Sequence, residues 1–205
     1  MQNMGYACIN MHLSELKPKI TTNRSMIKRT FLERGIEYAS ELSLQNCQDL
    51  IKIIQWNHDN GFKFFRLSSE LFPHKTNPKV TDYTYDFALD HLKKIGSYAK
   101  ENNIRLTFHP GQHNVLGTPH TKALKQTIAD LNYHAEVLDI LECDKNSVMV
   151  IHGGGVYGDK KATINRWCEQ YKLLPENVQK RLAIENCEKN FSIEDCLEVS
   201  EKINI

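Results

Sequence analysis

Apolar and polar positions fall into blocks along the chain. Five short apolar runs, GYACIN at 5–10, FKFFRLSS at 62–69, IRLTFHPG at 104–111, SVMVIHGGG at 147–155 and RLAIEN at 181–186, each close on small, glycine or polar residues. Runs of that length and make-up predict strands. Between them the apolar period lengthens to that of a helix. Leu44, Leu50, Ile51, Ile53 and Ile54 run up to a closing Gly61, with Ser43 the expected N-cap. Residues 82–101, from Asp82, space Phe87, Leu89, Leu92 and Ile95 as a helix face. In 119–142, Pro119 suits a first helical turn ahead of Leu124, Ile128, Leu131, Val137, Leu138 and Leu141. KATINRWCEQYKLL predicts a helix up to Pro175, and SIEDCLEVSEKI another, with Ser192 as N-cap and Asp195 at the capping-box position. Residues 14–41 show no clear period.

Five strand-then-helix units in a row predict a parallel sheet, either doubly wound or closed into a TIM (β/α) barrel. A dinucleotide-type doubly wound sheet would carry GxGxxG after its first strand, and GYACIN does not supply it. Functional residues of a barrel lie at the C-terminal ends of several strands, where Asn10, His74, His109, His152 and Glu185 fall or lie close by. The expectation is therefore one α/β barrel domain over residues 1–205. A complete barrel has eight units in about 250 residues, so this one is expected to be incomplete, with about five of the eight, and completed beyond Ile205 or by another chain.

A formal net charge of +1 gives no global attraction to nucleic acid, and any such binding must come from a local patch. The most basic stretch is 14–41, with Lys17, Lys19, Arg24, Lys28, Arg29 and Arg34, a solvated face or a phosphate-binding surface. No apolar stretch is long enough to span a bilayer, and the start lacks a basic region followed by an apolar core. Six scattered cysteines without a CxxC pair point to reduced thiols. The chain is expected to be soluble and intracellular, cytoplasmic or nucleoid-associated, and monomeric.

A single histidine at a strand end more often bonds a backbone group than a metal. Here His74, His109 and His152 share that register with Glu185, and the repetition favours ligands. Imidazoles and a carboxylate suit Zn²⁺ or Mn²⁺, and a carboxylate can bridge two ions that clamp the attacking and leaving oxygens of a phosphodiester. His134 falls mid-helix as a structural or ligand-supporting group. Gly153, Gly154 and Gly155 form a turn whose backbone can approach a phosphate or simply end a strand. Cys187 is a packed thiol or a further ligand.

In order and spacing, GYACIN, RLSSELFPH, FHPGQ, IHGGG and AIENCE resemble the UV damage endonuclease family across nearly the whole chain. The resemblance implies a metal-dependent TIM barrel akin to endonuclease IV and xylose isomerase. It also implies a DNA repair activity, nicking damaged double-stranded DNA 5′ of UV photoproducts and leaving a 3′ hydroxyl and a 5′ phosphate. It further implies divalent ions, Mn²⁺ first with Zn²⁺ or Mg²⁺ as alternatives, held by His74, His109, His152 and a bridging Glu185. Glu185 and His109 are then the expected catalytic pair. Tyr6 and Asn10 match positions near the lesion, and Gln112 with His113 the pair that wedges into the duplex, where the family commonly has tyrosine at the second place. The family's later ligands, in a DxHH-type segment and beyond, fall past Ile205. A metal-dependent sugar isomerase or epimerase on the same barrel, and an inactive truncated remnant, are the rival readings.

Overall fold

Each of the five predicted strands forms, though shorter than its apolar run. In this computed structural model, which describes residues 4–80, 82–187 and 189–205, they are β1 Gly5–Ala7, β2 Phe64–Arg66, β3 Arg105–Thr107, β4 Met149–His152 and β5 Leu182–Glu185. The helices are α1 Met11–Ser14, α2 Lys28–Asp59, α3 Leu89–Glu101 behind a 3-10 turn at Asp86–Ala88, α4 Thr121–Ile140, α5 Lys160–Tyr171, α6 Glu176–Gln179 and α7 Ile193–Ile203. Every bonded strand pair is parallel, in the order β1-β2-β3 in one sheet and β4-β5 in another. The fold class is thus α/β built from parallel βα units. The chain forms two compact units, one of the residues up to Phe108 with Val137–Ser147, the other of His109–Glu136 with Val148–Ile205.

In the first unit, the second half of the aperiodic segment 14–41 proves helical. Helix α2 begins at Lys28, is broken at Gly35 (φ 69°, ψ −163°), and runs on to Asp59. Ser43 is accordingly not an N-cap. It is fully buried inside the helix, its hydroxyl bonded to the Ala39 carbonyl and to the Tyr83 hydroxyl at 2.6 Å. No period shows over 28–41 because Gly35 breaks the helix and Phe31 and Ala39 are its only buried residues there; further on the buried stripe, Ala39, Ser43, Asn46, Leu50, Ile53 and Asn57, mixes polar with apolar residues at helical spacing. Asn46, with no exposed surface, accepts from the Arg24 amide at 3.1 Å and donates to the carbonyls of Arg24, Glu70 and Leu71. One amide thus ties together the loops that follow β1 and β2. Asp49 adds a second tie. Burial raises its carboxyl, but bonds from Lys52 and Arg24 and the Thr21 amide outweigh that and hold it below the usual carboxylate range. Helix α3 starts later than Asp82 implied, because residues 86–88 first wind as the 3-10 turn.

In the second unit, α4 begins two residues after Pro119, which therefore precedes the helix, and the His120 carbonyl accepts the Leu124 amide at 3.0 Å. The capping box of α7 forms as expected. The Ser192 amide donates to Asp195, whose own amide donates to the Ser192 hydroxyl. Trp167 of α5, Val178, Phe191 and Val199 of α7 are fully buried, with Met149 and Ile151 on the core face of β4. The six cysteines are free, and no described helix is long and apolar enough to cross a membrane.

Candidate metal centre

The register of β4 on β5 sets His152 directly opposite Glu185. Alternation along a strand sends Met149 and Ile151 into the core and leaves His152 on the other face beside Glu185. The Oε1 of Glu185 lies 2.8 Å from His109 Nε2 and 3.2 Å from His152 Nδ1. The two imidazole rings stand 5.1 Å apart at 62°. One ligand atom from each of the three side chains lies within 4.8 Å of the others. Their side chains are 18%, 29% and 35% exposed for His109, His152 and Glu185, so the cluster is half-open to solvent.

Donor chemistry shows what such a cluster needs. An ionised carboxylate only accepts, and a neutral imidazole carries one N–H and one lone pair. His109 faces an acceptor on each side, Glu185 through Nε2 and the Pro110 carbonyl through Nδ1 at 3.2 Å. It cannot donate to both while neutral. Donation from Nδ1 to Pro110 leaves the Nε2 lone pair pointing at an anion, an arrangement that a cation between them satisfies. Two imidazole nitrogens and a carboxylate oxygen at this separation fit a divalent ion such as Zn²⁺ or Mn²⁺, and the backbone-bonded second nitrogen is the usual way a ligating histidine is oriented.

The loop that follows His109 is braced from α4. Asn114, 1% exposed, donates to Asp130 at 2.6 Å and to the Gly111 carbonyl at 3.0 Å, and the Thr127 hydroxyl accepts the Val115 amide. His134 bonds the Asp130 carbonyl at 2.7 Å through Nδ1 and is buried, a structural role. Gln112 and His113 stand exposed at the tip of this loop, with His113 Nε2 3.8 Å from Asp130. On the β4 side, a Cβ at Gly153 would strike the Phe191 ring and one at Gly154 would strike Val115, while φ of 91° at Gly154 favours glycine again. Between the two loops lies a cleft of about 360 Å³, lined by Gln112, His152, Gly154, Gly155, Cys187 and Lys189 among others. The Cys187 thiol accepts the amides of Asn190 and Phe191 and so shapes the turn after β5.

The other expected site residues lie in the first unit. His74 takes a positive φ of 58°, stacks on Phe31 at 4.6 Å, and bonds the Met26 carbonyl through Nε2 at 2.9 Å. Donation from Nε2 leaves its Nδ1 lone pair free to bind an ion. Tyr6 and Asn10 are engaged with each other. The Tyr6 hydroxyl donates to Asn57 at 2.5 Å and accepts from Asn10 at 2.6 Å. Asn10 also caps α1 by accepting the Leu13 amide and is 4% exposed. Burial pushes the Tyr6 hydroxyl up, against the bonds from Asn10 and Asn57.

Three residues that the motifs did not single out, Asn57, Asn114 and Asp130, hold these positions. The one signal for Asp130 was a charge at helical spacing from Thr127 and His134 inside a buried stripe.

Fold and cluster define an α/β protein of parallel βα units with two imidazoles and a carboxylate gathered at strand ends, the donor set of a divalent-metal site. A family model described as UV-endonuclease UvdE matches residues 2–205, and the chain belongs to that family. A protein of Acanthamoeba polyphaga mimivirus is 40% identical over 98% of this chain and 62% of its own length. The UV-damage endonuclease of Schizosaccharomyces pombe is 37% identical over 98% of this chain and 34% of its own. The crystal structure of SacUVDE superposes with a TM-score of 0.90 at 33% identity, over 98% of this chain and 66% of that one. D-psicose 3-epimerase from Clostridium cellulolyticum H10 reaches a TM-score of 0.50 at 14% identity, over 75% of this chain and 54% of that one, a likeness of fold alone. The chain thus spans between 34% and 62% of the length of these two sequence relatives.

Proposed function

We propose that the protein is a DNA repair endonuclease that nicks damaged duplex DNA 5′ of UV photoproducts by divalent-metal-dependent hydrolysis, with Mn²⁺ the ion of choice. The observation that carries this is the convergence of His109 and His152 on one oxygen of Glu185 in a chain of the UvdE family. In this reading His109, His152 and Glu185 hold the ion, Gln112 and His113 probe the duplex from the loop that His109 opens, and His74 of the first unit keeps the metal-ligand role that the resemblance implies. Tyr6 and Asn10 shape the lesion side through the bonds they share. A divalent ion held there would supply positive charge to the scissile phosphodiester and to the water that attacks it. Glu185 balances that charge, and the His109 to Asn114 segment joins lesion contact to the reacting bond. Water adds to phosphorus and the bond to the 3′ oxygen breaks, giving a 3′ hydroxyl and a 5′ phosphate.

The test is nicking of an end-labelled duplex carrying one pyrimidine dimer, by protein loaded with Mn²⁺. One cut immediately 5′ of the dimer is expected, lost on chelation with EDTA and restored by Mn²⁺. No cut by protein with bound metal would overturn the proposal.

A further inference from the structure

Among the described residues, six other than glycine have a positive φ. Asn103, Glu142 and Asn204 follow or end helices, where the left-handed conformation is an ordinary terminator. Cys8, His74 and Tyr157 instead lie in the loops that follow β1, β2 and β4. Cys8 is bonded to Arg66 and Leu67, and His74 to Met26. Tyr157 differs from both. It holds φ 49° with 44% of its surface exposed, so burial does not compensate a conformation that a bulky side chain disfavours.

The backbone around it is firmly held. The Val156 carbonyl accepts the Asp159 amide at 3.1 Å and the Thr163 hydroxyl at 2.7 Å, and the Asp159 side chain caps α5. The Arg166 guanidinium lies 5.8 Å from the ring centroid, itself fixed by bonds to the Gly117 carbonyl at 2.9 Å and the Thr163 hydroxyl at 3.0 Å. His120 meets the ring edge-on at 6.1 Å. A Cβ at Gly155 would sit 3.6 Å from the ring, and Gly155 lines the cleft that reaches His152. The loop therefore holds an exposed aromatic ring beside Gly155, a residue of the cleft wall, with a cation alongside it.

We propose that Tyr157 is a stacking platform for an unpaired base of the DNA strand lying in this cleft, with Arg166 set to face its phosphate. Bases stack on aromatic side chains without regard to sequence, and a neighbouring arginine adds charge attraction. The inference rests on the DNA reading above, and it assigns that reading a second contact besides Gln112 and His113.

The test is the Kd of Mn²⁺-loaded protein for a fluorescein-labelled duplex with one thymine dimer and a non-cleavable phosphonate at the scissile position. Tyr157→Gly removes the ring and relieves the backbone, so its Tm should equal or exceed that of the parent while binding weakens about 10-fold or more. Tyr157→Phe keeps the ring and should bind within about twofold of the parent. Unchanged binding by Tyr157→Gly overturns the platform, as does a Phe variant as weak as the Gly variant. A parent protein that binds neither damaged nor undamaged duplex fails the DNA reading itself.

Discussion

Glu185→Gln is expected to abolish metal-dependent nicking while leaving the fold in place. The amide has the size of the carboxylate but no charge, and both imidazoles converge on the oxygen it alters. An ion lost or misplaced there removes several kcal/mol of charge stabilisation, so the rate should fall about 10³-fold. Mn²⁺ affinity should fall by at least about 10- to 100-fold, the range for groups that merely support a ligand. Because Glu185 is 35% exposed, Tm of the metal-free protein should move by no more than about 2–4 °C, roughly 1 kcal/mol in a chain of this size. Titration with Mn²⁺, a melting curve and the nicking rate separate these effects. A variant that binds Mn²⁺ and cuts like the parent would remove Glu185 from the site.

Asn114→Ala should act through the loop rather than the ligands. Its side chain supplies one donor to buried Asp130 and one to the half-buried Gly111 carbonyl, and both partners lose that donor. Such a loss costs about 2–3 kcal/mol, a drop in Tm of about 5–10 °C for a domain of this size. The released segment carries Gln112 and His113, so preference for damaged over undamaged duplex should fall by more than Mn²⁺ affinity does. A double-mutant cycle with Asp130→Ala should show a coupling of at least about 1 kcal/mol, because the two side chains share one bond. Additive effects would mean that the brace is not a unit.

Much of this was legible in the sequence, and the parts that were not share a physical cause. The strand ends that carry His109, His152 and Glu185 stood out because each apolar run stops abruptly. That His152 and Glu185 face each other depends on the register of two strands separated by α5 and α6, which no local pattern encodes. Gly35 breaks the first half of α2 and Phe31 and Ala39 are its only buried residues before Leu42, so no period shows there, while further on Ser43, Asn46 and Asn57 are buried for polar partners distant in sequence. The same holds for Asn114 and Asp130. A buried polar residue is chosen for a partner that only the fold supplies. Tyr6 and Asn10, picked out for contact with a lesion, also bond one another, and Tyr6 bonds Asn57, a link that no motif showed.

The central claim, that His109, His152 and Glu185 together hold a catalytic divalent ion, is tested most directly by an anomalous difference map from crystals of the Mn²⁺-loaded protein. A manganese peak bonded to all three side chains at once is expected. A map with manganese elsewhere, and Glu185 still bonded to both imidazoles, would contradict it.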